Sequence, residues 1–375
     1  MVIGVPRETR RHEHRVGLNP FGVARLIDCG CVVYIERGAG KDAHFSDEDY
    51  TDAGGRIVYG PEEIYNRADL VCRFGALSLE EVGLLKEGSV ICAFHHLAVA
   101  QREIVERLIE RSATLIGYEI IRGPDGDLPA LLPLSELAGQ MAVDTAAQLL
   151  RHESGGRGIL LGSAPGLPPA TVVILGAGTV GTTAARHGVA RGAHVILIDH
   201  DIRKLRRAGR ELGSQVMTAV GGVARLERYT AIADVVIGAV LIPGGRSPLL
   251  VTESMVRAMK PGSVIIDVSI DQGGCIETSR PTYPDDPTFR VHDVVHCCIP
   301  NMTSDIPRTA TRAMSDGALP FILEIAERGI REALLEDPGL AGGTYVYKGK
   351  MVNARAGEAL GIQPVALASL LEEEN

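Results

Sequence analysis

"VVILGAGTVG", residues 172–181, decides the fold. Its apolar start reads as a buried strand. Glycines then follow at positions 176, 178 and 181, in G-x-G-x-x-G spacing. "TTAARHGVARG" continues as a helix, and "HVILID" supplies a second strand ending in Asp199. A lone glycine pattern is weak. A strand before it, a helix after it and a carboxylate at the end of the next strand make it specific for a dinucleotide site of the Rossmann type. Gly176 permits the tight turn. Gly178 lets a pyrophosphate approach the backbone at a helix N-terminus, and Gly181 lets helix and strand pack closely. Asp199 is placed to accept hydrogen bonds from ribose hydroxyls. Its charge opposes a 2′-phosphate, so the expected cofactor is NAD rather than NADP, although Arg203 and Lys204 lie nearby. The competing reading is a glycine-rich turn with no ligand.

Outward from this turn, short apolar runs alternate with amphipathic segments. "ADVVIGAV", "SVIIDVSID" and "HDVVHCCIP" continue the strands. The first 130 residues show the same alternation, with strands at "VIGV", "CVVYIE", "RIVYG", "ADLVCRF", "SVICAFHH" and "ATLIGYEI". Continuous apolar strands separated by helices imply parallel sheets covered on both faces. Ser135 can cap a helix of about four turns, and the Gly/Pro-rich "GGRGILLGSAPGLPP" marks a boundary after it. A second long helix is expected from Thr309 to Leu335, before a short acidic tail. The expected fold is α/β: two Rossmann-like doubly wound domains joined by two long helices. Residues 1–134 with 307–375 form one discontinuous domain, and 135–306 the dinucleotide-binding one.

Composition limits the function classes. The chain has 375 residues, with 45% hydrophobic and 23% charged, long enough for two ordinary domains. Aromatics are 4% and Trp is absent, so the cores must be aliphatic. A net charge of −9 argues against nucleic acid or an anionic membrane as partner. No signal peptide or membrane-length apolar segment is visible. The seven cysteines lie mostly inside apolar runs, which fits free thiols in a cytoplasmic protein. Cys297-Cys298 lacks a second pair at zinc spacing, so no metal is expected.

Ligands of open parallel sheets bind beyond the carboxyl ends of the strands. His95 and His96 sit at such an end in the first domain, and Asp271 at another in the second. His96 and Asp271 are therefore the candidate catalytic pair, while Asp267 reads as structural. Arg15, in "EHRVGLNP", can hold a substrate carboxylate through its planar fork; a surface arginine is the alternative.

With these residues in place, the chain resembles alanine dehydrogenase and its relative, the NAD-binding subunit of proton-translocating transhydrogenase. The resemblance runs from "GVPRET…HEHRVGLNP" through "HLA", "PLSELAG", "GAGTVG" and "IGAVLIPG", and on to "IDQGGCIETSRPT" and "NMTSDIPRTAT". It implies an NAD-dependent amino-acid dehydrogenase, usually a homohexamer and sometimes a dimer. It implies His96 as the acid/base and Asp271 as a second essential group. Arg15 and Asn301 would contact an amino acid, a 2-oxo acid or an imine. Ser135, Thr179, Val180, Asp199, Lys204, Val240, Leu241, Val268, Arg280, Ile299 and Met302 would line the NAD site. One departure stands out: the family's Lys-Glu-Pro is Gly75-Ala76-Leu77 here, which removes a substrate-binding cation. Arg73, two positions earlier, is expected on the same strand face, with Gly75 clearing space for it; exposure to solvent is the alternative. A non-catalytic NAD-binding subunit, or an imine-, opine- or lysine-type amine dehydrogenase, stay open as other readings.

Overall fold

The computed structural model describes residues 1–373. Glu374 and Asn375, at the end of the acidic tail, lie outside them. The chain separates into two compact units. The first holds Met1–Leu134, Pro243–Gly245 and Ser304–Asn375; the second holds Ser135–Ile242 and Arg246–Thr303.

The first unit is built on an eight-stranded sheet. Its parallel part comprises β1 (Val2–Val5), β2 (Val32–Glu36), β3 (Arg56–Val58), β4 (Leu70–Gly75), β5 (Val90–Phe94) and β6 (Thr114–Gly117). Late in the chain, β14 (Thr344–Tyr347) and β15 (Lys350–Met351) add antiparallel strands beside β6. The strand order is β15-β14-β6-β5-β4-β1-β2-β3. The returning segment thus contributes strands as well as the expected helix. That helix is broken, running Pro307–Arg328 and resuming at Ile330–Glu336. The break falls at Gly329, whose φ of 81° suits glycine. Hydroxyls on this helix tie the unit's first and last chain segments together: the Val16 amide donates to Thr311 Oγ1 (3.2 Å) and the Asn19 amide to Ser315 Oγ (3.3 Å).

The second unit carries a seven-stranded sheet, ordered β12-β13-β11-β10-β7-β8-β9. Its strands are β7 (Thr171–Leu175), β8 (His194–Asp199), β9 (Val216–Val220), β10 (Val235–Gly238), β11 (Val264–Asp267), β12 (Phe289–Val291) and β13 (Val294–Cys297). All pair in parallel except β12. Successive residues of one strand feed opposite cores. Val172 and Ile174 join one apolar cluster, whereas Val173 and Leu175 join the other. That two-sided burial is why these strands read as unbroken apolar runs.

The helix containing Ser135 spans Leu132–Leu149, so Ser135 lies inside its first turns rather than capping it. Gly139 in this helix faces the helix Thr179–Ala190. A Cβ there would stand 2.6 Å from the Val180 carbonyl oxygen, so only glycine lets the two backbones meet. Among the described residues no helix is long and apolar enough to cross a membrane, and no acid, histidine and cysteine group could hold a metal ion.

Candidate active site

The glycine turn after β7 has the geometry its spacing predicts. Gly176 has φ 107°, and a Cβ on it would approach the Ala239 carbonyl oxygen to 2.4 Å. A Cβ on Gly181 would fall 1.8 Å from the Gly176 carbonyl oxygen, so a side chain there cannot coexist with the turn. Among the described residues, nothing beyond its own chain neighbours lies within 4 Å of where a Cβ on Gly178 would be. Gly178 caps the helix Thr179–Ala190 with no side-chain hydrogen bond. Open space meets bare helix N–H groups there, which suits a phosphate.

Asp199 ends β8 and is buried. Its Oδ2 accepts from the Ala177 amide (2.8 Å) and its Oδ1 from the Asp201 amide (2.8 Å). The carboxylate therefore braces the glycine turn as well as marking the strand end. Lys204 Nζ lies 4.0 Å from it and His200 Nδ1 3.3 Å. Arg203 is turned away onto Asp201.

The other expected cofactor residues gather where parallel strands end. Thr179 and Val180 open the helix after β7, and Val240 and Leu241 follow β10. The Val240 amide donates to Ser269 Oγ (2.9 Å). Val268 follows β11, Ile299 follows β13, and Met302 begins a 3-10 turn. Arg280 is exposed and stacks on Phe289 of β12, 4.4 Å from the ring centre.

Asp271 is not in a strand. β11 stops at Asp267, and Val268–Gln272 forms a 3-10 turn. Buried Asp267 holds that turn, accepting from the Ser269 and Cys275 amides (both 3.1 Å). Asp271 Oδ1 in turn accepts from the amide of Asn301 (2.8 Å), whose φ is 52°. One carboxylate shapes the turn and the next fixes a left-handed asparagine.

In the first unit, β5 ends at Phe94, so both histidines lie beyond the strand. His95 is buried, its Nε2 3.2 Å from the Ile91 carbonyl oxygen. Burial pulls its pKa down to about 4 against smaller opposing effects, so it is a neutral core histidine near pH 7. His96 adopts the left-handed conformation, φ 47° and ψ 44°. Its ring stacks on Phe94 with centroids 6.3 Å apart, and its buried Nδ1 has no hydrogen-bond partner among the described residues. A non-glycine residue in that region costs roughly 1–3 kcal/mol, and such residues cluster at functional sites.

Arg15 is buried, not on the surface. Its Nε and Nη2 fork onto Glu13 (2.6 and 2.5 Å), and its guanidinium lies 3.5 Å over the Phe74 ring. Burial disfavours the Glu13 carboxylate, but the Arg15 charge and hydrogen bonds outweigh it and hold its pKa below the usual range. Ser304 also reaches Glu13 (3.3 Å). Glu13 and Phe74 are missed by sequence reasoning; Glu-x-Arg spacing was the only signal for the former.

Arg73 departs from expectation. It is 0% exposed and paired with Glu8 (2.8 Å) and Glu81 (3.0 Å), with a further bond to the Tyr65 hydroxyl (3.0 Å). It neither faces solvent nor reaches across Gly75. Register explains this: Cys72 pairs with Cys92 but Gly75 with Phe94, so an irregularity between them breaks the two-residue alternation. The space at Gly75 faces Glu8 Oε2 (3.5 Å) and Arg10 Cδ (3.7 Å) instead.

Two mainly parallel, Rossmann-like sheets, one bearing a dinucleotide turn, define an α/β nucleotide-binding protein. Residues 4–138 match the family described as Alanine dehydrogenase/PNT, N-terminal domain, and residues 142–354 match Alanine dehydrogenase/PNT, C-terminal domain. The chain is 41% identical to an alanine dehydrogenase of Mycobacterium tuberculosis, over 99% of this chain and 100% of that one. It is 40% identical to an alanine dehydrogenase of Halomonas elongata over the same shares. A solved L-alanine dehydrogenase superposes with TM-score 0.88 at 40% identity, covering 96% of this chain and 99% of that one. The transhydrogenase of Sinorhizobium meliloti shares the fold, with TM-score 0.79 and 23% identity over 94% of this chain and 100% of that one. This chain belongs to the alanine dehydrogenase/PNT family.

Proposed function

We propose that the protein is an NAD-dependent amino-acid dehydrogenase, which oxidises an L-amino acid to its 2-oxo acid and ammonium and runs the reverse reductive amination. The observation that carries this is full-length identity of about 40% to alanine dehydrogenases together with an intact dinucleotide turn. When bound, NAD supplies the hydride acceptor. The open space at Gly178, the uncapped helix and the Asp199 carboxylate fit it. In this reading the second unit holds NAD along its strand ends and the first holds the substrate.

Arg15, stiffened by Glu13 and Phe74, binds the substrate carboxylate. His96 takes a proton as the imine forms and returns it on hydrolysis, the ordinary work of a general acid–base group. Asp271 fixes Asn301, which lies at the strand ends that hold the nicotinamide. Arg73 has no part, since Glu8 and Glu81 hold it in the core. Gly75 stands where the family has its lysine, and the side chains facing it are Glu8 and Arg10; without the lysine's ammonium at that position, alanine is a poor substrate. A larger amino acid, or a preformed imine, fills the space beside Gly75. An assembly of several copies of this chain, hexamer or dimer, and a cytoplasmic location go with this reading. The test is NADH formation from NAD⁺ across a panel of L-amino acids, with alanine among the slow ones.

A further inference from the structure

Glu119 is fully buried and has no share in the proposed chemistry. It sits in the 3-10 turn Tyr118–Ile120 that follows β6, the strand beside β5. One of its oxygens, Oε1, accepts two hydrogen bonds. The backbone N–H of His96 donates at 2.6 Å and the Tyr345 hydroxyl at 2.9 Å. Room for this arrangement depends on Gly117, where a Cβ would stand 2.3 Å from the Tyr345 ring and 3.2 Å from Glu119 Oε2. A buried carboxylate is costly to keep unless its hydrogen bonds do something an apolar side chain cannot.

The bond to His96 is short and falls on the one residue of this turn in the left-handed region. The carbonyl oxygen of His96 is held too, accepting from the Val99 amide (3.0 Å). With N–H and C=O both fixed, the direction of the His96 Cα–Cβ bond is fixed, and Phe94 flanks the ring.

We propose that Glu119 is the positioning residue for His96: its carboxylate clamps the His96 backbone in the left-handed conformation and so aims the imidazole. This rests on His96 being the acid/base. The competing role is purely structural, anchoring Tyr345 and β14 in the core. Because both bonds end on one oxygen, removing the Tyr345 hydroxyl alone and altering the carboxyl group separate the two roles.

The variants are Glu119→Ala, Glu119→Asp, Glu119→Gln and Tyr345→Phe in the full chain. Oxidation of whichever L-amino acid the wild-type chain turns over fastest reports relative kcat and KM, and NADH titration reports cofactor binding. Glu119→Ala is expected to lower kcat by about 30-fold or more, with KM and NADH affinity within about threefold. Glu119→Asp keeps the charge but shortens the reach, so it should lose nearly as much, and it decides the matter if the alanine variant does not fold. Glu119→Gln retains an acceptor and should stay within about fivefold of wild type, and Tyr345→Phe within about threefold. Equal losses in Tyr345→Phe and Glu119→Ala, or full activity in Glu119→Asp, would overturn the proposal. A second readout needs no turnover: the ring ¹⁵N signals of His96 in histidine-labelled protein. They should match wild type in the Gln variant and move in the Ala and Asp variants. If His96→Ala leaves turnover intact, the acid/base reading fails. Unmoved ring signals in Glu119→Ala and Glu119→Asp would overturn the positioning role by themselves.

Discussion

The turn after β7 and the turn after β5 are both strand ends in parallel sheets, yet they are made of different material. The first is made of backbone. Gly176 and Gly181 are needed because carbonyl oxygens occupy the space where side chains would go, and a single distant side chain, Asp199, braces the turn. The second is made of side chains brought from far along the chain. Glu119 reaches the His96 amide across 23 positions, and Tyr345 reaches Glu119 across 226. A backbone site leaves a short local pattern in the sequence, whereas a side-chain site leaves isolated residues.

The contrast is sharpest at the glycines. Gly181→Ala puts a Cβ 1.8 Å from a carbonyl oxygen, so the second unit should fail to fold or lose more than about 4 kcal/mol, the range of exceptional single substitutions. Gly178→Ala meets open space and should leave thermal stability nearly unchanged while weakening NADH binding about tenfold or more. Calorimetry and NADH titration on the two variants check this. Similar stability losses at both would show that the turn is merely tight everywhere, with no space kept for a ligand.

Next in size is Arg73. Removing one partner from a buried ion pair costs about 3–5 kcal/mol, so Arg73→Ala should be seen in urea unfolding as a lowered midpoint. Any loss of turnover should follow the loss of folded protein. A variant of wild-type stability with poor KM for an amino acid would instead put the guanidinium on the substrate.

At the histidines, His96→Ala and Asp271→Asn should each cut turnover roughly 100-fold or more, with NADH binding kept. His95→Ala should do much less, because its imidazole is buried in the core.

The smallest effect is the pH dependence that His95 contributes to stability. Its pKa is about 4 in the fold against 6.5 in the unfolded chain. The unfolded state therefore binds the extra proton between those values. The contribution is fully present above about 6.5 and is lost as pH falls toward about 4. In His95→Leu the urea midpoint should decline less over that interval than in wild type. An unchanged decline would mean that His95 titrates in the folded protein as it does in the unfolded chain.

How much was legible follows from the same contrast. The parallel strands could be read because β7, β8, β10 and β11 feed cores on both faces and so are apolar through their centres. The edge strands β9, β12 and β15 escaped because they are short or half exposed. β14 escaped because its pairing with β6 lies far away in sequence. The glycine turn and the place of Asp199 at the end of β8 were legible, though not the amides of Ala177 and Asp201 that its carboxylate holds. The surroundings of His96 were not: nothing near position 96 announces Glu119, and a register irregularity in β4 hid the fate of Arg73. Gly329, lodged in a helical pattern, marked a break only once its φ of 81° was known.

The most direct measurement is NADH formation by the wild-type chain and His96→Ala from NAD⁺ with a panel of L-amino acids. The prediction is steady NADH formation with at least one amino acid larger than alanine, slow formation with alanine, and loss of both in His96→Ala. Tight NADH binding with no NADH formed from any amino acid, or from the reverse reaction of 2-oxo acids with ammonium, would contradict it and leave a chain that binds the dinucleotide without oxidising amino acids.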